Sequence, residues 1–86
     1  MISDDVNTQE IRANIAFNVK YLREIRGLSV IEAATQLGVG RQYWYLIEKA
    51  DANLTLDKLG GVAKILGVSI EQLVRAPKPR DRDKSA

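Results

Sequence analysis

Arg41 and Gln42 stand side by side at the start of a short amphipathic run, RQYWYLIEK, residues 41–49. Both side chains carry paired hydrogen-bonding groups. The arginine fork matches O6 and N7 of guanine, and the glutamine carboxamide matches N6 and N7 of adenine. On a helical wheel Trp44 and Ile47 fall on one side, while Arg41, Gln42, Tyr45, Leu46 and Lys49 face outward. Such a helix offers base-reading groups at its N-terminal end, the end that enters the major groove of double-stranded DNA. The plain alternative is a solvated helix face. A stacking platform made of Tyr43, Trp44 and Tyr45 for single-stranded nucleic acid is disfavoured, because three consecutive helical residues point in different directions.

Other chemistries are excluded by what is missing. The 86 residues contain no histidine and no cysteine. The usual general base, the thiolate nucleophile and the commonest zinc ligands are therefore absent. No glycine-rich phosphate loop accompanies them, so no enzyme, cofactor or metal site is expected. No apolar run approaches the ~20 residues of a membrane span, and residues 1–8 are polar and acidic rather than signal-like. A cytoplasmic protein with no membrane partner is the expectation. The net charge of +2 is weak support for a nucleic-acid partner. Residues 9–74 hold eight basic and seven acidic side chains, and the larger surplus lies at the C-terminus, in Arg75, Lys78, Arg80, Arg82 and Lys84.

The elements that must position this run are signalled by caps. Ile11, Ile15, Val19 and Leu22 mark one face of a first helix, with Phe17, Tyr21 and Ile25 as a weaker second stripe. Gly27 ends it. Ser29 followed by Glu32 has the spacing of a capping box and starts a second helix, whose inner side is Ala33, Ala34 and Leu37. Gly38 closes that helix, and a third runs from about Gly40 to Lys49. Thr55 caps a fourth, with Leu56, Leu59, Val62, Ala63 and Leu66 expected inside, and Gly67 stops it. Ser69 caps a short fifth helix with Ile70, Leu73 and Val74. Pro77 and Pro79 forbid more helix. The expected organisation is a frayed segment 1–8, an all-α five-helix domain 9–76 and a charged flexible tail 77–86.

Only Gly38 and Val39 separate the second and third helices, so the two must cross steeply, as in a helix-turn-helix at residues 29–49. An ordinary corner between two bundle helices is the alternative. Ile70, Leu73 and Val74, with Leu54 and Leu56 nearby, exceed what a five-helix monomer of this length needs. They are expected either to form a symmetric homodimer interface or to complete the monomer core.

The segments VKYLREIRGLS, AATQLGV, RQYWYLIEK and NLTLDKLGGVAKILGVSIEQL resemble the lambdoid phage repressor and Cro superfamily, the XRE family, over residues 15–74. The stretch RQYWYLIEKADANLTLDKL is most similar to its restriction–modification controller branch. The resemblance implies a compact lambda-repressor-like fold and control of transcription by a dimer on a near-palindromic operator. It places Arg41 and Gln42 at base-reading positions and Leu46 at another, where an apolar side chain meets only a thymine methyl. It places Tyr43 at a phosphate-contacting position and Ser29 where the second helix offers its N-terminus to a phosphate. Arg23 and Glu48 match an ion pair between the first and third helices. The chain departs from the family pattern at Val30, where glutamine is usual, at Ala50, where glycine is usual, and at Asp51 and Ala52, where basic residues are common. Leu54 stands where proline is common. Small Ala33 and large Trp44 depart in opposite directions and are read as compensating.

Together these features predict a sequence-specific transcriptional regulator, and a repressor in the family pattern. The alternative is a protein-interaction module on the same fold, an antitoxin or accessory subunit with its own protein partner. Val30, Asp51 and the nearly neutral body of the domain motivate it.

Overall fold

Each helix begins at a side-chain or glycine cap and ends where the chain can turn. The computed structural model describes residues 7–77, and these form α1 (Thr8–Ile25), α2 (Val30–Leu37), α3 (Arg41–Glu48), α4 (Leu56–Leu66) and α5 (Ile70–Val74), with no strand among them. Most of the expected segments 1–8 and 77–86 lies outside the described residues. Where they overlap, Asn7 accepts the Glu10 N–H and caps α1, which begins at Thr8. Ser29 and Ser69 form full capping boxes with Glu32 and Gln72, and Thr55 accepts the Lys58 N–H. These caps satisfy N–H groups that the first turn of a helix leaves without partners.

Gly38 ends α2 in the left-handed conformation (φ 81°), which a side chain with a Cβ adopts only at a cost. The turn brings α3 across α2, and α2 then packs on both α3 and α4. At the α2–α4 contact Gly61 leaves room for Leu37, because a Cβ at Gly61 would come within 2.8 Å of Leu37 Cδ1. The first helix packs along α3, α4 and α5.

Trp44, Ile47, Leu66, Leu73, Val19 and Val62 are the largest fully buried side chains, with Ala33 and Ala34 in the same cluster. Fully enclosed Ala33 and Trp44 sit together in that cluster, in keeping with a small residue offset by a large one. Ala52 is also buried. Packing rather than DNA contact therefore accounts for the absence of a basic residue there. Two expectations are corrected. Leu56, placed by periodicity on the inner face of α4, is 76% exposed, because it occupies the first position after the Thr55 cap, one turn before Leu59, where burial of the helix begins. Ile11, in the main stripe of α1, lies 38% exposed near the N-terminal end of that helix.

The short α5 is held by α1. Asn18 Nδ2 donates to the carbonyls of Leu73 (2.7 Å) and Arg75 (2.9 Å), and Asn14 Nδ2 donates to Val74 O (3.2 Å). Five residues cannot satisfy their own C-terminal carbonyls, and two asparagines from a different element do so.

The end of α3 is strained. Ala50 has φ 64°, and its N–H and that of Asp51 bond back to Ile47 O and Leu46 O. This is a Schellman stop with alanine where glycine is usual. Gln9 Nε2 donates to Ala50 O (3.1 Å) and holds the turn to the start of α1. Relief of a left-handed alanine, about 1–2 kcal/mol, exceeds the extra freedom glycine gives the unfolded chain, about 0.4–1 kcal/mol. Ala50→Gly should therefore raise the thermal midpoint by about 3–6 °C in a melting experiment.

Candidate nucleic-acid interface

The outward side of α3 follows from what its inward side buries. Trp44 and Ile47 are 0% and 1% exposed, which fixes the rotation of the helix. Arg41, Gln42, Tyr45, Leu46 and Lys49 are consequently all exposed on the other side. Gly40 caps the helix without a side chain, so nothing covers its N-terminal turn from the cap position. Tyr43 differs from this set. It is half-buried and packed against the core, at the edge of the exposed face.

Ser29 lies exposed at the start of α2. Its Oγ accepts the Glu32 N–H (3.0 Å), and its own N–H donates to Glu32 Oε1 (2.8 Å). The capping box engages one lone pair of the hydroxyl and does not use its O–H as a donor. Glu32 brings a negative charge to that same turn. Val30 is half-buried against the core, and Asp51 is exposed just beyond α3.

The angle of α3 is held by a polar cluster at its base. Arg23 Nε donates to Glu48 Oε2 at 2.6 Å, and Arg23 Nη2 donates to Glu48 Oε1 at 3.2 Å. Trp44 Nε1 donates to Glu48 Oε2 at 2.7 Å, and Arg23 Nη1 donates to Leu28 O at 2.9 Å. The two ionised side chains are only 12% and 9% exposed. The hydrogen bond to Glu48 raises the pKa of the Arg23 guanidinium and outweighs the opposing effect of burial, so this side of the pair stays charged. The Trp44 bond has a simple sequence basis, a spacing of four on one helix face.

The residues expected at a subunit interface separate into two groups. Leu73 is fully enclosed by the core of its own chain and has no surface to offer, so it is withdrawn from that set. Ile70 is 37% exposed, and Leu54 and Val74 are half-buried. Leu56, which the sequence already places beside this surplus, is the most exposed large apolar residue described. Leu56 and Gly60 lie one turn apart, and a Cβ at Gly60 would be 3.9 Å from Ile70 Cδ1. Gly60 therefore adjoins Ile70, and Leu56 lies one turn before it on α4. No helix among the described residues is long and apolar enough to cross a membrane.

A family model described as helix-turn-helix matches residues 19–73. A hypothetical transcription factor of Neisseria meningitidis serogroup B is 35% identical over 72 residues, covering 84% of this chain and 68% of the relative. The crystal structure of a hypothetical transcription factor from Neisseria superposes with a TM-score of 0.75 at 32% identity, over 94% of this chain and 91% of that one. An HTH_3 family transcriptional regulator from Vibrio cholerae superposes with a TM-score of 0.71 at 28% identity, over 78% of this chain and 38% of that one. None of these matches bears specifically on the restriction–modification controller branch.

Glu48→Gln removes the counter-charge from an almost enclosed guanidinium. It should lower stability by about 3 kcal/mol, read as a shift in urea unfolding. Replacing both Arg23 and Glu48 by methionine should recover only part of this loss, because methionine leaves the Trp44 N–H without its acceptor. Adding Trp44→Phe should recover more.

Proposed function

The chain belongs to the helix-turn-helix family, and on that premise we propose that it is a sequence-specific regulator of transcription acting on operator DNA as a homodimer. The observation that carries this reading is the exposed face of α3. Five side chains point away from the core beside a buried pair that prevents the helix from rolling. Arg41 and Gln42 read base edges at the N-terminal end, and Tyr45 and Leu46 follow one turn behind. Ser29, Tyr43 and Lys49 contact the phosphate backbone and set the register. The protein works without a cofactor and without catalysis, in the compartment that holds the chromosome.

Dimerisation through Leu56, Ile70, Leu54 and Val74 supports two copies of α3 at the spacing of one DNA turn. A second reading is a protein-interaction module on the same fold. Core-facing Val30 and exposed Asp51 favour it, since neither helps hold a phosphate.

Selection from random duplex DNA separates the two readings. Enrichment of a two-fold symmetric motif supports the regulator, and recovery of no motif supports the interaction module. On the enriched site, Arg41→Ala should cost about 1–3 kcal/mol and relax preference at one base position. Tyr43→Ala should weaken all sequences alike. The pair Leu56→Glu and Ile70→Glu should leave the helical spectrum intact, shift sedimentation to the monomer and weaken binding to the full site.

A further inference from the structure

We propose that the exposed side of α1 around Phe17 and Tyr21 is a docking surface for this chain's own C-terminal segment, residues 78–86. The inference does not depend on the DNA-binding reading of α3. Phe17, Tyr21 and Ile25, the second stripe of α1, are 42%, 55% and 60% exposed. The Phe17 and Tyr21 rings stack with centroids 6.2 Å apart and planes 11° from parallel. Glu10 and Glu24, both exposed, stand seven residues before and after Phe17, and a spacing of seven returns to nearly the same helix face. The aromatic pair is thus bracketed along α1 by two carboxylates.

The occupant follows from where the described chain leads. Asn18 Nδ2 donates to Leu73 O (2.7 Å) and Arg75 O (2.9 Å), and Asn14 Nδ2 donates to Val74 O (3.2 Å). The chain that leaves α5 is therefore tied to α1 at the residue next to Phe17. Arg75 is extended, and Pro77 is half-buried. Residues 78–86 hold Lys78, Arg80, Arg82 and Lys84 against Asp81 and Asp83. Five residues separate Arg75 from Arg80, an extended reach of at most about 18 Å, and Tyr21 stands one turn along α1 from Asn18. A guanidinium laid on an aromatic face gains a cation–π contact. The carboxylates of Glu10 and Glu24 complement the remaining cations. Pro79 fixes its own backbone angle, which lowers the entropy lost on docking. Tyr21 and Arg23 are two residues apart and lie on opposite sides of α1, so the docked segment runs on the side turned from α3. Its arginines are then held away from the reading face.

The test uses the full chain. It contains no cysteine, so Ser85→Cys takes a nitroxide spin label at a single site. The label should broaden backbone amide signals around Phe17 and Tyr21 in a proton–nitrogen spectrum and leave those of α3 sharp. Phe17→Ser with Tyr21→Ser should abolish the broadening, and Glu10→Gln with Glu24→Gln should weaken it. All four positions are exposed, so the helical spectrum should be unchanged, and the glutamine pair serves alone if the serine pair misfolds. Weak broadening spread evenly over the surface would overturn the proposal, as would broadening at α1 that persists in both variants. A mixture of spin-labelled chain with isotope-labelled chain lacking the nitroxide separates the other occupant. Broadening in that mixture as strong as in the doubly labelled chain would give the surface to the segment of a second copy, and the intramolecular docking would fall.

Discussion

Glu48 sits in the last turn of α3 with almost no water around its carboxylate, and an anion in that position must be given donors or be lost. It receives them from Arg23 on α1 and from Trp44 on its own helix. The pair itself is a doubtful source of net stability, since desolvating two charges costs about as much as their attraction returns. Its consequence is geometric. A bidentate fork has one orientation, the indole N–H has one direction, and both converge on a single carboxylate. The angle of α3 against α1 and the depth of Trp44 are fixed together. The exposed row on the other side of α3 is the complement of that arrangement.

The contact surface built on this frame is sparse in charge. The domain body is nearly neutral, Glu32 and Asp51 stand at its margins, and Val30 has gone to the core. In the proposed complex, few phosphate contacts share the electrostatic attraction that all DNA sequences offer equally. A larger share of the discrimination then falls to base edges, read in this proposal by Arg41, Gln42, Tyr45 and Leu46 in successive turns. An arginine and a glutamine carry the directional part.

Local chemistry was legible in the sequence. Ser29 with Glu32, Ser69 with Gln72, Thr55, Gly38 and Gly67 are cap signals that need four residues or fewer, and each lies where the sequence places it. The buried side of α3 was legible for the same reason, since Trp44 and Ile47 share a face within one turn. Burial at helix ends was not. Leu56 has the right period for the inner face but occupies the first helical position, and Leu73 has the look of a surplus apolar residue yet fills the core. The asparagines that hold α5 gave no signal at all. Asn18 and Asn14 meet carbonyls 55–60 residues away, and an asparagine on a helix reads as solvated unless the distant partner is known. The family resemblance identified the partners Arg23 and Glu48, but not the indole N–H that joins them, because tryptophan is a departure from the family pattern at that position.

These long-range contacts make α1 a strut between two surfaces. At one point along it Arg23 fixes α3, and nearer its start Asn14 and Asn18 fix the C-terminal carbonyls of α5. Gln9 and Arg12, in its first turns, hold Ala50 and Asn53 in the loop that joins α3 to α4. The proposed dimer strip lies on α4 and α5, and the proposed reading face lies on α3. A five-residue helix resting only on apolar contacts would let one surface drift relative to the other. Hydrogen bonds from a single eighteen-residue helix to both ends remove that freedom. In a symmetric dimer an angular error at the strip is doubled at the two copies of α3. In the proposed dimer the half-site spacing would therefore depend on Asn14, Asn18 and Arg23 as well as on the strip and the reading face.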